Sequence, residues 1–371
     1  MIHSRTHLAS LYRSPPEPMS HLNLLRLDRN ERIVPFPEEI IVRFKERMTS
    51  EWVMAYPELE KVYHELAIHF GVERDHLYLA AGSDLAIKTV YETYIDPGDS
   101  VLLHFPSYAI FEIYGQMFQA NILSFYYNRQ LSLDIDAYVD AITSQTRMVV
   151  LENPNGSIGT ALPHDAIRAV VEKAHRCNTL VLLDEAYYMF SNQTLQQLYL
   201  EFDNVIIVRT FSKDFGIAGL RCGYLLSQKQ NIDSVYRVKP MHEITSATAA
   251  FVLTMLEFPE HTKQFVADVQ AGITFTKESL RQIGILSAGG SSNFIVIYLG
   301  EQCDLSIVVN YLKSRGILVR RPFQLPNLRG WLRVGCGNVE QMQRFVNAFA
   351  EALDVSGWKR ALYTFPEGWN L

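Results

Sequence analysis

Cysteine is scarce in this 371-residue chain: Cys177, Cys222, Cys303 and Cys336 stand singly, with no C-x-x-C pair and none of the dense spacing of a disulfide scaffold. They read as reduced thiols, which predicts a cytoplasmic protein and gives no sign of a metal site. Dense basic stripes are also missing. The 34 Lys and Arg against 40 Asp and Glu leave a formal charge of -6, so neither nucleic acid nor an anionic membrane is an expected partner. The N-terminal segment carries His3, Arg5, His7 and Arg13 around Pro15, Pro16 and Pro18, with no apolar stretch long enough for a signal peptide or a membrane span. Internal repeats and low-complexity tracts are absent. What remains is an ordinary globular composition, 48% hydrophobic and 20% charged, which can bury a large core and leaves a small-molecule substrate as the expected ligand.

One core rarely serves a chain of this length, so a large and a small domain are expected. Residues 1–35 are polar and punctuated by proline; they read as an arm lying on another element, of the kind that often crosses to a partner subunit. Residues 36–240 alternate short apolar runs with helical stretches. The runs are Leu77-Tyr78-Leu79-Ala80, Val101 to Phe105, Met148-Val149-Val150-Leu151, Leu180-Val181-Leu182-Leu183, Val205-Ile206-Ile207-Val208 and Tyr224-Leu225-Leu226. Runs so short and β-branched suit strands buried on both faces. Between the third and fourth, Ala166, Ile167, Val170, Val171 and Ala174 follow a helical period. Strand and helix in alternation predict an α/β domain, a mostly parallel sheet with helices on both sides. From Lys239-Pro240 onward the pattern changes to a long helical region, an apolar run from Asn293 to Tyr298, a helix around Ile307 to Leu312 and the run Trp331 to Val334. Residues 241–371 therefore read as a smaller α+β domain.

In a parallel sheet, ligands sit beyond the carboxyl ends of the strands, so the polar residues after each run come first. Gly82-Ser83-Asp84 opens a helix, whose free N–H groups and positive dipole end suit a phosphate; an ordinary helix cap by Ser83 or Asp84 is the other reading. Asp184 follows four apolar residues and could face a protonated ring nitrogen, or simply cap a helix. Thr210, Ser212 and Arg221 offer two hydroxyls and a forked cation around Lys213, an amine that forms an imine when burial and neighbouring cations lower its pKa.

The run Thr210-Phe211-Ser212-Lys213-x-Phe215-Gly216-x-Ala218-Gly219-Leu220-Arg221-x-Gly223-Tyr224, with Asp184-Glu185-Ala186-Tyr187, resembles the fold-type I pyridoxal-phosphate enzymes. The similarity is greatest to the histidinol-phosphate aminotransferase branch of the class I and II aminotransferases. The resemblance implies an aspartate aminotransferase-like fold, with a large, mostly parallel seven-stranded sheet domain and a smaller α+β C-terminal domain. It implies pyridoxal 5′-phosphate as cofactor, Lys213 as the Schiff-base lysine and proton shuttle, Asp184 at the pyridine nitrogen, Tyr187 at the ring's phenolic oxygen and Tyr108 stacked on the ring. Gly82, Ser83, Asp84, Thr210, Ser212 and Arg221 resemble the phosphate cup. Arg333, in Trp331-Leu332-Arg333-Val334-Gly335, resembles the arginine that grips an α-carboxylate, and Arg320 the one that meets a distal substrate phosphate. Tyr56 looks like the tyrosine that reaches a partner's site in a homodimer, and Asn30 like part of the segment that closes over substrate.

One motif departs. Where the family reads Asn-Pro-Asn-Asn-Pro-Thr-Gly, this chain reads Asn153-Pro154-Asn155-Gly156-Ser157-Ile158-Gly159. The asparagine that bonds the phenolic oxygen falls on Gly156, so Asn155 or Ser157 is expected to take over that contact, and a housekeeping histidine-pathway role is weakened. Asn30-Glu31-Arg32 also lacks the proline that commonly follows. The resemblance implies transamination between an amino acid donor and a small anionic, possibly phosphorylated, keto substrate. The alternatives are a decarboxylase or lyase acting on a phosphorylated amino acid, and a non-catalytic regulator on the same fold, which the retained Lys213 and the short N-terminal arm disfavour.

Overall fold

The apolar runs form strands because each residue in them finds cover on both sides of a sheet. In the computed structural model, which describes residues 5–9, 11, 23–359 and 369, twelve strands occur: β1 Leu25–Leu27, β2 Leu77–Ala80, β3 Ser100–Phe105, β4 Asn121–Tyr126, β5 Thr146–Glu152, β6 Leu180–Asp184, β7 Val205–Thr210, β8 Gly223–Ser227, β9 Leu286–Gly289, β10 Phe294–Tyr298, β11 Ile317–Val319 and β12 Trp331–Gly335. Seven of them make one sheet in the order β2-β8-β7-β6-β5-β3-β4. All neighbours are parallel except that β8 runs against both β2 and β7.

Alternation along the strands divides the apolar side chains between two faces. Leu79, Leu102, Val149, Leu151 and Leu183 join one buried cluster together with Ile167, Val170, Val171 and Ala174 of the helix His164–Arg176. Tyr78, Val101, Leu103, Val150 and Leu182 point the other way, against Ile87 and Val90 of the helix Ser83–Tyr94 and Ile110 of Ala109–Met117. The helix period read between residues 166 and 174 is thus the stripe that covers the sheet.

Two features differ from the sequence reading. Strand β4 was not among the apolar runs because it is the sheet's edge, with every residue exposed or half-buried, and an edge strand needs no continuous apolar run. Of the expected arm, residues 1–4, 10 and 12–22 lie outside the described residues. Its last part is no surface arm: β1 pairs in parallel with β11, and Leu25 and Leu27 are buried on either side of the half-exposed Arg26. A period-two Leu-Arg-Leu is a short strand by its own pattern.

The remaining strands form a second, antiparallel sheet in the order β12-β10-β9. The long helices Pro259–Gln282 and Val339–Ser356 follow the chain around it; the latter begins with a capping box in which Asn338 and Gln341 each bond the other's backbone N–H. For function, the decisive consequence is directional. Ala80, Phe105, Glu152, Asp184 and Thr210 end parallel-running strands and therefore emerge on one edge of the large sheet.

Candidate active site

Beyond that edge lies Lys213, three residues past β7 and half-buried. Its Nζ donates to the carbonyl of Asn30 at 3.3 Å and stands 5.5 Å from the centre of the Tyr187 ring. Asn30 holds a left-handed backbone, φ 56°, and is buried. Its amide donates to the Tyr187 hydroxyl at 3.0 Å, and its carbonyl also accepts from Asn293 at 3.0 Å. The segment after β1 therefore ties Lys213 and Tyr187 together. Asn30 Oδ1 is buried with no partner among the described residues.

Asp184 closes β6. One of its oxygens accepts the Ala186 N–H at 2.8 Å, and among the described residues it forms no ion pair. Burial pushes this carboxyl up to about 7, with Lys213 pulling the other way. A positive charge placed beside it would draw it down again.

Opposite, the helix Ser83–Tyr94 starts with Gly82 at its N-cap and no side chain bonded there. Its first N–H groups remain available, so neither Ser83 nor Asp84 is a helix cap. Gly82 has φ 87°, and a Cβ on it would fall 2.4 Å from the Arg221 guanidinium. Gly223 is equally constrained: a Cβ there would lie 2.3 Å from the Ser83 nitrogen. Two glycines thus let the guanidinium and the start of β8 close on one helix end. Arg221 itself holds φ 50°, an uncommon conformation for a residue with a side chain, and pairs with Asp84 at 3.5 Å. Tyr108 donates from its hydroxyl to Asp84 at 2.7 Å. Thr210 and Ser212 sit in the turn after β7, their hydroxyls 3.0 Å apart and buried.

From the small sheet, Arg333 of β12 reaches the same space. Its guanidinium lies 5.2 Å from the Phe294 ring and donates to the Gly156 carbonyl at 3.0 Å, while Nε is buried without a partner among the described residues. Burial lowers this guanidinium to about 10. Among the described residues no carboxylate pairs with it. Arg320 is adjacent through the backbone, its N–H donating to the Arg333 carbonyl at 3.3 Å, and its side chain is exposed.

Some expected residues are not brought in. Asn155 is fully buried and spent within its own turn: its amide donates to the Pro106 carbonyl at 2.9 Å, and its oxygen accepts from the N–H groups of Ser157 and Ile158. Ser157 donates to the Ser107 carbonyl at 3.2 Å. Neither is free to replace the side chain absent at Gly156. Tyr56 is 80% exposed and stacks on His242, ring centres 4.5 Å apart, so within one chain it does not line this space. Conversely, Glu152 at the end of β5 stands in the site and was not singled out. Its signal was available, since an acid after four apolar residues is the same pattern that drew attention to Asp184.

Among the described residues no group of His, Cys, Asp and Glu could hold a metal ion. The geometry suits an anionic, aromatic cofactor: an uncapped helix end with a guanidinium for a phosphate, a buried unpaired carboxylate for a protonated ring nitrogen, and an amine between them.

The sequence profile of the family described as aminotransferase class I and II matches residues 25–349. The chain is 30% identical over 331 residues to the histidinol-phosphate aminotransferase of Thermoanaerobacter pseudethanolicus, covering 88% of this chain and 93% of that protein. To that of Sulfurisphaera tokodaii it is 26% identical over 339 residues, covering 89% and 90%. It superposes on the histidinol-phosphate aminotransferase of Sinorhizobium meliloti, solved in complex with pyridoxal 5′-phosphate, with a TM-score of 0.85 over 95% of this chain and 98% of that one, at 21% identity. With a double mutant of Thermus thermophilus aspartate aminotransferase the TM-score is 0.77, covering 95% and 100% at 16% identity. The structural likeness establishes the aspartate aminotransferase fold. The profile match, spanning both sheets and every strand end that lines the site, establishes more than the fold: the chain belongs to the class I and II aminotransferases.

Proposed function

We propose that this aminotransferase uses pyridoxal phosphate to move an amino group between an amino acid donor, such as glutamate, and a small phosphorylated keto substrate. The observation that carries the reading is the meeting of Lys213 and Tyr187 at Asn30, with the Asp184 carboxyl near enough to Lys213 to feel its charge and the Nε of Arg333 unbonded among the described residues. When bound, the cofactor supplies an electron sink that stabilises negative charge at the substrate Cα.

The residues divide the remaining work. Lys213 Nζ holds the cofactor's aldehyde and, once released, carries a proton to and from the substrate carbon; the Asn30 carbonyl at 3.3 Å fixes where that amine waits. Asp184, left without a cation, keeps the ring nitrogen protonated. Gly82, Ser83, Asp84, Thr210, Ser212 and Arg221 hold the phosphate, and Tyr108 covers the ring. Arg333 binds the substrate's carboxylate in a forked pair. Arg320, beside it, meets the distal phosphate; the relatives' name, histidinol-phosphate aminotransferase, supports a phosphorylated partner. Decarboxylation or elimination is not favoured, since those relatives are aminotransferases.

We take residues 1–35 as an N-terminal segment whose Leu25–Leu27 pairs into the fold as β1, 36–240 as the cofactor-binding domain and 241–371 as the small domain. A homodimer is part of the proposal: Met54, Tyr56 and Met241 are each at least 80% exposed, an apolar group whose burial needs a partner. Among the described residues no helix is long and apolar enough to cross a membrane, and four free thiols support a reducing, cytoplasmic setting.

Adding glutamate alone to the loaded enzyme should bleach its visible absorbance and release 2-oxoglutarate; histidinol phosphate should bleach it too, releasing its own keto counterpart, and more efficiently than the dephosphorylated amino alcohol. Release of carbon dioxide without a keto product would instead select the decarboxylase reading.

A further inference from the structure

Glu152 has no task in this scheme, yet it is only 2% exposed and faces the site. In the ladder between β5 and β6 its register partner is Asp184, so the two side chains leave the sheet on the same side. Glu152 Oε1 accepts the Tyr108 N–H at 2.6 Å and Oε2 accepts the Gly156 N–H at 2.7 Å. A Cβ built on Gly156 would lie 2.9 Å from Glu152 Oε2 and 3.6 Å from the edge of the Tyr187 ring. The carboxyl thus lies where a side chain on residue 156 would begin, against the tyrosine that neighbours Lys213. Asn155 and Ser157, the other candidates for that space, are bonded elsewhere.

We propose that Glu152 replaces the side chain missing from position 156, presenting a carboxyl to the cofactor's phenolic oxygen, beside Tyr187, where the family's motif presents an amide. This rests on the cofactor reading above. The exchange has a chemical consequence. An amide donates a hydrogen bond at every pH, whereas a carboxyl donates only while it holds its proton.

The groups around Glu152 favour the protonated form. Asp184 on β6 carries like charge; burial pushes the hydroxyls of Tyr127 and Tyr138 up, so they stay neutral; His104 on β3 is buried, its Nε2 accepting the Glu152 N–H at 3.1 Å, and burial pushes it down to about 4. Arg333 and the two backbone N–H groups oppose, and burial still pushes Glu152 up to about 8. With Asp184 held ionised by a ring nitrogen, its like charge favours the proton on Glu152. The donor is therefore lost as pH rises through the Glu152 titration.

The test follows the visible absorbance of the loaded enzyme from about pH 6 to 10, and its affinity for pyridoxal phosphate, in wild type, Glu152→Gln, Glu152→Ala, Gly156→Asn, the double variant Glu152→Ala with Gly156→Asn, and Lys213→Ala. Glu152→Gln, a fixed donor of the same shape, should abolish the wild-type transition or move it by about one pH unit or more while keeping affinity within about threefold. Gly156→Asn alone should weaken the cofactor about tenfold or more, because its side chain collides with the carboxyl; combining Glu152→Ala with Gly156→Asn should recover most of that loss, a coupling that independent sites do not show. A Glu152→Gln transition superimposed on wild type, or a double variant as weak as the two losses added together, would overturn the proposal. A wild-type protein with no visible band, or a Lys213→Ala variant that keeps it, would instead remove the cofactor reading beneath it.

Discussion

Asp184 and Glu185 are neighbours in the chain and both buried, but they meet opposite fates. Glu185 is closed. Its Oε2 accepts from Arg209 Nε at 2.9 Å and Nη2 at 2.7 Å, its Oε1 accepts the Leu195 N–H at 2.6 Å, and Arg209 also bonds Thr194 and lies 4.0 Å above the Tyr188 ring. Asp184 is open: among the described residues its side chain has a single backbone N–H and no ion pair, Lys213 acting on it without one, and across the pocket the Nε of Arg333 has no partner there. A buried charge whose bonds are all made braces the fold, here fixing the ends of β6 and β7. Buried charges left unmatched cost free energy unless a ligand completes them. The contrast separates architecture from site without reference to any relative.

The comparison can be broken from either side. On the open side, Lys213→Ala should lower the transamination rate by roughly 10⁴-fold or more, the scale of losing a nucleophile, with the melting temperature of the cofactor-free protein little changed. On the closed side, Glu185→Ala should cost about 3–5 kcal/mol in urea unfolding by stranding the Arg209 charge. Arg333→Ala should raise KM for the amino donor about 100-fold, as expected for a forked carboxylate pair. It should leave stability unchanged or improved, since among the described residues that guanidinium has no carboxylate to lose. A loss of stability matching that of Glu185→Ala would erase the distinction.

A smaller effect sharpens it. In the cofactor-free protein both Asp184 and Glu152 titrate above the ordinary carboxylate range, at about 7 and about 8. Raised acids stabilise the fold while protonated, so their contribution is complete below the usual carboxylate pKa and is lost as pH rises through 7 and 8. Glu152→Gln should flatten the decline in melting temperature across that window, and an unchanged slope would contradict the enclosure described for Glu152.

Much of this was legible in residue order. Strand ends carrying Asp184, Thr210 and Lys213 followed from apolar runs and the rule that parallel strands deliver their C-terminal residues to one edge, and the resemblance carried the rest of the large sheet. What escaped did so for physical reasons. Strand β4 lies at an edge and carries no continuous apolar run, and β1 is three residues long with its partner almost three hundred positions away. Glu152 was missed because the motif directed attention to residues on either side of Gly156, whereas the chain fills that space from four residues upstream, at the end of the preceding strand. Sequence spacing does not reveal which side chain occupies a vacated volume; the turn that carries Gly156 N–H back to Glu152 does.

The central claim concerns one amine. Borohydride reduction of the loaded enzyme, followed by digestion and mass spectrometry, should find the reduced cofactor on the peptide carrying Lys213. Its attachment to another lysine, or to none while the enzyme remains active, would contradict the account.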